Sequence, residues 1–358
     1  MHSLLQPPRK ILAIKLRALG DTVLMTAPLL ELRKAFPRAE IHALVLNPWR
    51  SLLEHHPAVD KTIGYDRHSD ASARAKAIAR LALKLHQERY DCVVNFHASP
   101  SSSILAFSTA AKTRAIHFHG HRDKNRYSTV TVPGKGTLKP IIERDLDTVR
   151  ALGITIEERA LPRIFLSQTE KDDALKMLND LQLTGPILGI GLGASRPTKT
   201  WGVERYAQLA LRWCKERGGS VLAVAGPNEA NTAQQFLQLT RTAGHCVQAV
   251  TQLTVRECAA TLASFSVFAG NDSGPRHLAV AVDTPTVTLF GPEHPFEWHP
   301  YPEERHPKLF VDNLACRRDA DPGMPSWCGL HECVIEQTKC MKGITEDQVF
   351  AEVIRVAR

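Results

Sequence analysis

The sequence predicts an α/β protein of two doubly wound halves, and three observations carry that expectation. Short, nearly unbroken apolar runs alternate with stretches of helical period, the pattern of parallel strands buried on both faces by helices. The alternation runs through a first half, starts afresh in a second, and the two meet near residues 155–185. A length of 358 residues also suits two domains better than one.

The elements follow in order. Ile11-Leu12-Ala13-Ile14-Lys15-Leu16 reads as a strand buried on both faces. Arg17-Ala18-Leu19-Gly20-Asp21 breaks it, and apolar residues at helical spacing predict a helix over 22–36 that Pro37 stops. Strands are expected at 40–46, 62–65, 92–96 and 114–118, and helices at 71–87, 102–111 and 141–152. In the second half, helices are expected at 170–181, 203–216, 228–239 and 254–263, and strands at 187–191, 221–225 and 286–290. The run Val267-Phe268-Ala269-Gly270 ends in Asn271-Asp272-Ser273-Gly274-Pro275, and a small-residue helix follows. Ser273 or Asp272 suits its N-cap, and Pro275 suits its first turn. The free N–H groups of such a helix start make an anion site; the alternative is an ordinary strand–helix junction. The expected domains are 1–160 and 161–345, with a C-terminal helix over 346–358.

Composition limits the function class. Hydrophobic residues make up 43% and charged residues 23%, as in an ordinary globular chain. No apolar run reaches the ~20 residues of a membrane span. Residues 1–10 are polar with two prolines, unlike a secretory signal, so a cytoplasmic location is expected. The formal charge of +8 calls for an anionic partner: nucleic acid, a membrane surface or a phosphorylated substrate. Aromatics at 6% are too sparse for stacking single-stranded nucleic acid.

Several constellations could carry chemistry. Asp21 falls at the end of the first strand, where a carboxylate either caps the next helix or accepts a proton from a substrate hydroxyl; Arg17 beside it can hold a phosphate or that carboxylate. In Gly189-Ile190-Gly191-Leu192-Gly193-Ala194-Ser195-Arg196-Pro197-Thr198-Lys199, the glycines admit a ligand close to the backbone, and Ser195, Arg196 and Lys199 supply donors for phosphate oxygens. The spacing is neither a dinucleotide fingerprint nor a Walker loop, so a plain Gly-rich turn is the alternative. Glu229 ends another strand, where it can accept from a ribose diol or complement a helix dipole. His117, His119 and His121 alternate on one strand face, followed by Arg122, Lys124, Arg126, Lys135 and Lys139; a site for an anionic acceptor, a solvated basic loop and a metal site all fit. Cys316, Cys328, Cys333 and Cys340 contain no C-x-x-C pair, which leaves metal, disulfide and thiol states open. Of two Asp-x-Asp triplets, Asp145-Leu146-Asp147 falls in a predicted helix and Asp319-Ala320-Asp321 in the cysteine tail; neither reads as a metal site.

Taken together, the chain resembles the heptosyltransferases of glycosyltransferase family 9, which build the inner core of lipopolysaccharide. The resemblance rests on Lys15-Leu16-Arg17-Ala18-Leu19-Gly20-Asp21, on Lys199-Thr200-Trp201-Gly202, and on Asn271-Asp272-Ser273-Gly274-Pro275-Arg276-His277-Leu278-Ala279 running into Thr284-Pro285-Thr286-Val287-Thr288-Leu289-Phe290-Gly291-Pro292. The tail ending Lys339-Cys340-Met341-Lys342-Gly343 is similar as well. It implies a GT-B fold: two Rossmann-like doubly wound domains facing across a cleft, acceptor bound by the first and donor by the second. It implies an ADP-activated heptose moved with inversion, no cofactor and no metal. Asp21 would be the general base. Ser195 and Lys199 would contact the diphosphate, Glu229 the ribose, and Asp272, Ser273, Gly274 and His277 the donor sugar and phosphates. The basic residues Arg17, Arg122, Lys124 and Arg126 would meet an anionic lipid A–core acceptor, with the enzyme peripheral to the cytoplasmic face of the inner membrane. Arg276 is a departure, a cation where many members carry an uncharged residue. Other readings are a related enzyme using another nucleotide sugar, and a non-catalytic binder of anionic glycans or nucleic acid; specific nucleic-acid binding is not expected.

Overall fold

The first strand explains how the N-terminal half is built. In β1 (Lys10–Lys15), Ile11 and Ala13 join one apolar cluster while Leu12 and Ile14 join another, because side chains alternate between the faces of a pleated strand. The computed structural model describes residues 6–97, 99–117, 125–132, 139–312, 314, 316, 328–333 and 338–358, which divide into two units, Met1–Phe165 and Leu166–Arg358.

In the first unit β1 is followed by α1 (Leu19–Leu24), α2 (Thr26–Ala35), β2 (Glu40–Leu46), β3 (Lys61–Tyr65), α3 (Ala71–Gln87), β4 (Cys92–Asn95), α4 (Pro100–Ser108), β5 (Thr113–Ile116) and α5 (Ile141–Arg150). Five parallel strands take the order β3-β2-β1-β4-β5, so the winding reverses between β1 and β4. The helix expected over 22–36 is two helices and starts earlier. Pro28 has no N–H for the Leu24 carbonyl, and its ring crowds that carbonyl, so the chain breaks at Met25. Asp21 therefore lies inside the first turn of α1, not in a connecting turn. The strand expected over 114–118 runs one residue earlier and stops at Ile116.

The second unit contains α6 (Gln168–Asp180), β6 (Ile187–Gly191), α7 (Val203–Arg217), β7 (Ser220–Val224), α8 (Ala230–Thr240), β8 (Val247–Val250), α9 (Val255–Ala263), β9 (Val267–Asn271), α10 (Gly274–Ala281), β10 (Thr286–Leu289), α11 (Pro295–Trp298), β11 (Lys308–Leu309), α12 (Lys339–Lys342) and α13 (Glu346–Val356). Its strands are parallel in the order β11-β10-β9-β6-β7-β8, the doubly wound arrangement that reverses between β6 and β9. Local sequence sets the helix starts: Ser167 with Glu170, Thr254 with Glu257 and Thr345 with Gln348 form capping boxes, each satisfying two otherwise unpaired N–H groups. Gly218 ends α7 in the left-handed region at φ 60°. The core is filled by the fully buried Trp213, Tyr206 and Phe236, and the C-terminal α13 adds Val349 and Val353 to it. The expected fold class, two Rossmann-like doubly wound domains of the GT-B type, is the observed one.

Candidate functional site

In open α/β sheets ligands bind at the carboxyl ends of the strands, where the winding reverses. Each unit has such a point, and polar residues that no apolar core requires collect there.

In the first unit the point lies beyond β1. Lys15 is 1% exposed, and its ammonium donates to both carboxylate oxygens of the fully buried Asp145 on α5, at 2.8 and 2.7 Å. Asp21 is 7% exposed. Its Oδ1 lies 3.3 Å from Arg17 Nε and 3.9 Å from Lys15 Nζ, yet among the described residues it has no hydrogen-bond partner. Asp21 does not cap α1; Ala18 holds that position. Arg17 faces this carboxylate, one of its two expected uses. Burial pushes the Asp145 carboxyl up, with the Asp21 charge adding to it and Lys15 and Arg17 opposing, to about 6. Removing one partner of such a buried pair costs roughly 3–5 kcal/mol. Neither Lys15 nor Asp145 was an expected site residue. A lone cation in an otherwise apolar strand buried on both faces is the signal that could have found them.

In the second unit the point lies between β6 and β9, and Asn271 organises it. This side chain is fully buried. Its Oδ1 accepts from the Trp201 N–H and the Tyr206 hydroxyl, each at 3.0 Å. Its Nδ2 donates to the carbonyls of Leu192 and Gly193, at 3.2 and 3.3 Å. One amide thus ties the end of β9 to both ends of the loop after β6. The glycines of that loop have different uses. A Cβ on Gly191 would sit 2.7 Å from the ring of Phe268, so this glycine makes room for core packing rather than for a ligand. A Cβ on Gly193 would run into the Glu229 carboxylate, which lies against this backbone. Glu229 closes the 3-10 turn Pro227–Glu229 and accepts from the Gly226 N–H at 2.7 Å.

The cations beside this backbone are paired with carboxylates. Lys199 donates to Asp272 Oδ2 at 2.7 Å and lies 3.7 Å from Glu293. Arg196 pairs with Glu293 and donates to the Gly329 carbonyl. Arg276, 1% exposed, donates to Asp272 Oδ1 through Nε at 3.0 Å and Nη2 at 2.5 Å, and to the Trp298 carbonyl at 2.8 Å. Its guanidinium stands 5.1 Å over the Phe290 ring. Arg276 therefore braces Asp272, which gives the unusual cation a structural role. Burial would raise Asp272, but Arg276 and Lys199 outweigh it and hold the carboxyl far below its usual range. Burial lowers the Lys199 ammonium against the pull of Asp272. Arg196, Lys199 and Arg276 outnumber Asp272 and Glu293, so the group keeps one positive charge.

Ser273 occupies the N-cap of α10 without making a cap bond, so neither it nor Asp272 is the side-chain cap expected. Its Oγ is buried with no partner among the described residues, at a helix start without a side-chain cap bond. Gly274 opens that helix. His277, 6% exposed, shares a hydrogen bond with the Tyr301 hydroxyl, and burial, reinforced by Arg276, lowers it well below the usual histidine range. It is a neutral ring at pH 7. Ser195 is exposed on its loop. The structure thus brings Lys199 and Asp272 into direct contact and sets Glu229 against Gly193. Asn271 and Glu293 were missed; an amide closing an apolar strand is a readable signal, whereas Glu293 has none.

Of the expected acceptor cations, Arg126 is exposed and stacks 4.5 Å from the Tyr127 ring. Arg122 and Lys124 lie outside the described residues, as do His119 and His121. Lys139 pairs with Asp147 at 2.7 Å. No disulfide joins the cysteines among the described residues, and Cys316, Cys328, Cys333 and Cys340 line one small cavity with Thr198 and Pro292.

With this geometry in place, known proteins supply context. The model of glycosyltransferase family 9 (heptosyltransferase) matches residues 78–319. A lipopolysaccharide heptosyltransferase 3 from Escherichia coli is 25% identical over 296 residues, covering 79% of this chain and 83% of that protein. The crystal structure of a family 9 glycosyl transferase from Veillonella parvula superposes with a TM-score of 0.84 at 21% identity, covering 99% of both chains. The E. coli ADP-heptose lipopolysaccharide heptosyltransferase II has a TM-score of 0.77 at 19% identity, covering 97% of this chain and 98% of that one.

Proposed function

This chain belongs to glycosyltransferase family 9, and from that premise we propose that it moves a heptose from an ADP-activated donor to an inner-core sugar of lipopolysaccharide, inverting the anomeric centre without a metal. The observation that carries the reading is Asp21: a buried carboxylate oxygen with no hydrogen-bond partner among the described residues, at the carboxyl edge of β1. Such an oxygen can accept the proton of an acceptor hydroxyl as that hydroxyl attacks the sugar carbon. The leaving diphosphate needs fixed positive charge, and the second unit supplies an excess of one cation beside the start of α10, which no side chain caps.

Each expected residue takes a role in this reading. Ser195, Lys199, Ser273 and the Gly274 N–H hold the diphosphate, and Glu229 accepts from the ribose. Asp272 holds Lys199 in place, and the neutral His277 serves the donor sugar. The first domain, 1–160, binds the acceptor, with Arg17 and Arg126 meeting its anionic groups together with Arg122 and Lys124. The second, 161–345, binds the donor. An anionic lipid-linked acceptor and a charge of +8 favour work at the cytoplasmic face of the inner membrane, in peripheral contact. No helix among the described residues is long and apolar enough to cross a membrane.

The test offers ADP-heptose with a panel of truncated core acceptors and looks for the mass of one added heptose. Folded protein that gives no product on any acceptor defeats the transferase reading. Stronger thermal stabilisation by UDP than by ADP defeats the donor assignment.

A further inference from the structure

A complete ion pair, Lys15 with Asp145, is buried behind Asp21. Lys15 and Asp145 are 1% and 0% exposed. Apolar residues at both positions would fill a core with less desolvation, so the pair is poor evidence for stability alone. Its placement is informative. The Lys15 ammonium makes two hydrogen bonds to Asp145, both under 3 Å, but stands 3.9 Å from Asp21 Oδ1, too far to donate. We propose that Asp145 is a positioning residue: it holds the Lys15 ammonium against itself and off Asp21, so that Asp21 Oδ1 stays open to receive a proton. The inference rests on the reading of Asp21 as the base.

The charge arithmetic explains the need. Asp21 already faces the Arg17 guanidinium at 3.3 Å. A second cation free to bond the same oxygen would hold the carboxylate ionised and occupy its lone pair, which removes a base. Asp145 supplies the compensating negative charge from α5. Most of the other charged groups on the elements around Asp21 have partners of their own. On α5, Glu143 pairs with Arg150 and Arg159, and Asp147 with Lys139 and Arg150. On α2, Glu31 pairs with Lys34 and accepts from the Ala160 N–H, while Arg33 bonds Asp60. Arg67 donates to the Leu16 carbonyl, and Arg50 lies against Gly64. Burial raises the Asp145 carboxyl to about 6, so the compensation fades in acid as Asp145 takes a proton.

Asp145→Asn and Lys15→Met in the full chain test this with carbon-13-labelled aspartate, whose carboxyl titration needs no substrate. In D145N the freed ammonium turns to Asp21, whose titration falls by about one pH unit. In K15M the Asp21 titration rises, because a nearby cation is gone and the isolated Asp145 is neutral. In transfer assays D145N loses about tenfold or more in kcat while KM moves less than about threefold, and its acid limb shifts to lower pH. Charge loss alone shifts Asp21 in these two directions, so the readout that a merely structural pair would not give is the kcat loss of D145N without a matching rise in KM. An Asp21 titration unchanged in both variants overturns the proposal; should D145N fail to fold, an unchanged titration in K15M does so alone. A wild-type chain that transfers no sugar defeats the base reading instead, and the carboxyl titration separates the two failures.

Discussion

Replacing Asn271 tests whether one buried amide holds the loop after β6. In Asn271→Ala the Trp201 N–H and the Tyr206 hydroxyl lose their acceptor, and the carbonyls of Leu192 and Gly193 lose a donor. Trp201, Tyr206 and Leu192 are at most 3% exposed, so water does not replace the amide, whereas the partly exposed Gly193 can be resolvated. A buried polar group left unsatisfied costs about 1–3 kcal/mol. Counting the two donors in full and the Leu192 carbonyl in part gives roughly 3–7 kcal/mol. Asn271→Asp keeps the shape but turns a carboxylate oxygen toward two carbonyl oxygens, so it should be equally damaging. Tyr206→Phe leaves the Trp201 bond intact and should cost about 1 kcal/mol. Two units need not unfold together, so the measurement is native-state hydrogen exchange over residues 192–206, supported by urea denaturation followed through tryptophan fluorescence. In N271A and N271D the Trp201 amide should lose protection by a factor of at least about one hundred. If it stays protected, or if both variants lose less than about 1 kcal/mol, Asn271 does not organise the loop.

Other consequences can be checked independently. Asp21→Asn should bind ADP as the wild type does and lose about 10²–10⁴-fold in kcat; near-normal turnover would remove Asp21 as the base. Gly193→Ala should push Glu229 off the Gly226 N–H, costing about 1 kcal/mol of stability and weakening ADP binding several-fold by calorimetry; unchanged affinity would detach Glu229 from the nucleotide. Burial lowers His299 to about 3 and His306 to about 4, and His277 also falls well below the usual 6.5. The unfolded chain therefore binds more protons below pH 6.5, so stability is complete above that value and falls as acid is added, down to about pH 4, by up to about 4 kcal/mol per pH unit for three protons. Urea midpoints that stay level from pH 7.5 to 5 would refute this sign.

Much was open to reading in the amino-acid order. Parallel strands buried on both faces appear as short apolar runs, which is why β1, β2, β4, β6, β7, β9 and β10 stand out. Two strands escaped for physical reasons. Val247-Gln248-Ala249-Val250 is an edge strand that needs little apolar character, and β11 spans only Lys308–Leu309. The break at Met25 was written in Pro28 but hidden by apolar spacing that continues through it.

The sequence by itself determined the fold class, the order of most elements and the placement of Asp21 and of Asp272 to His277 in the segments that follow β1 and β9, because periodicity and turn chemistry act between near neighbours. Which side chain faces which was left to the tertiary structure. Lys15 and Asp145 are 130 residues apart, Asn271 and Leu192 are 79 apart, and Lys199 and Asp272 are 73 apart. Each pair meets because the crossovers of a doubly wound sheet bring distant strand and helix ends together. Whether a cation is free for a ligand or already held by a carboxylate depends on those meetings, and no local pattern records them.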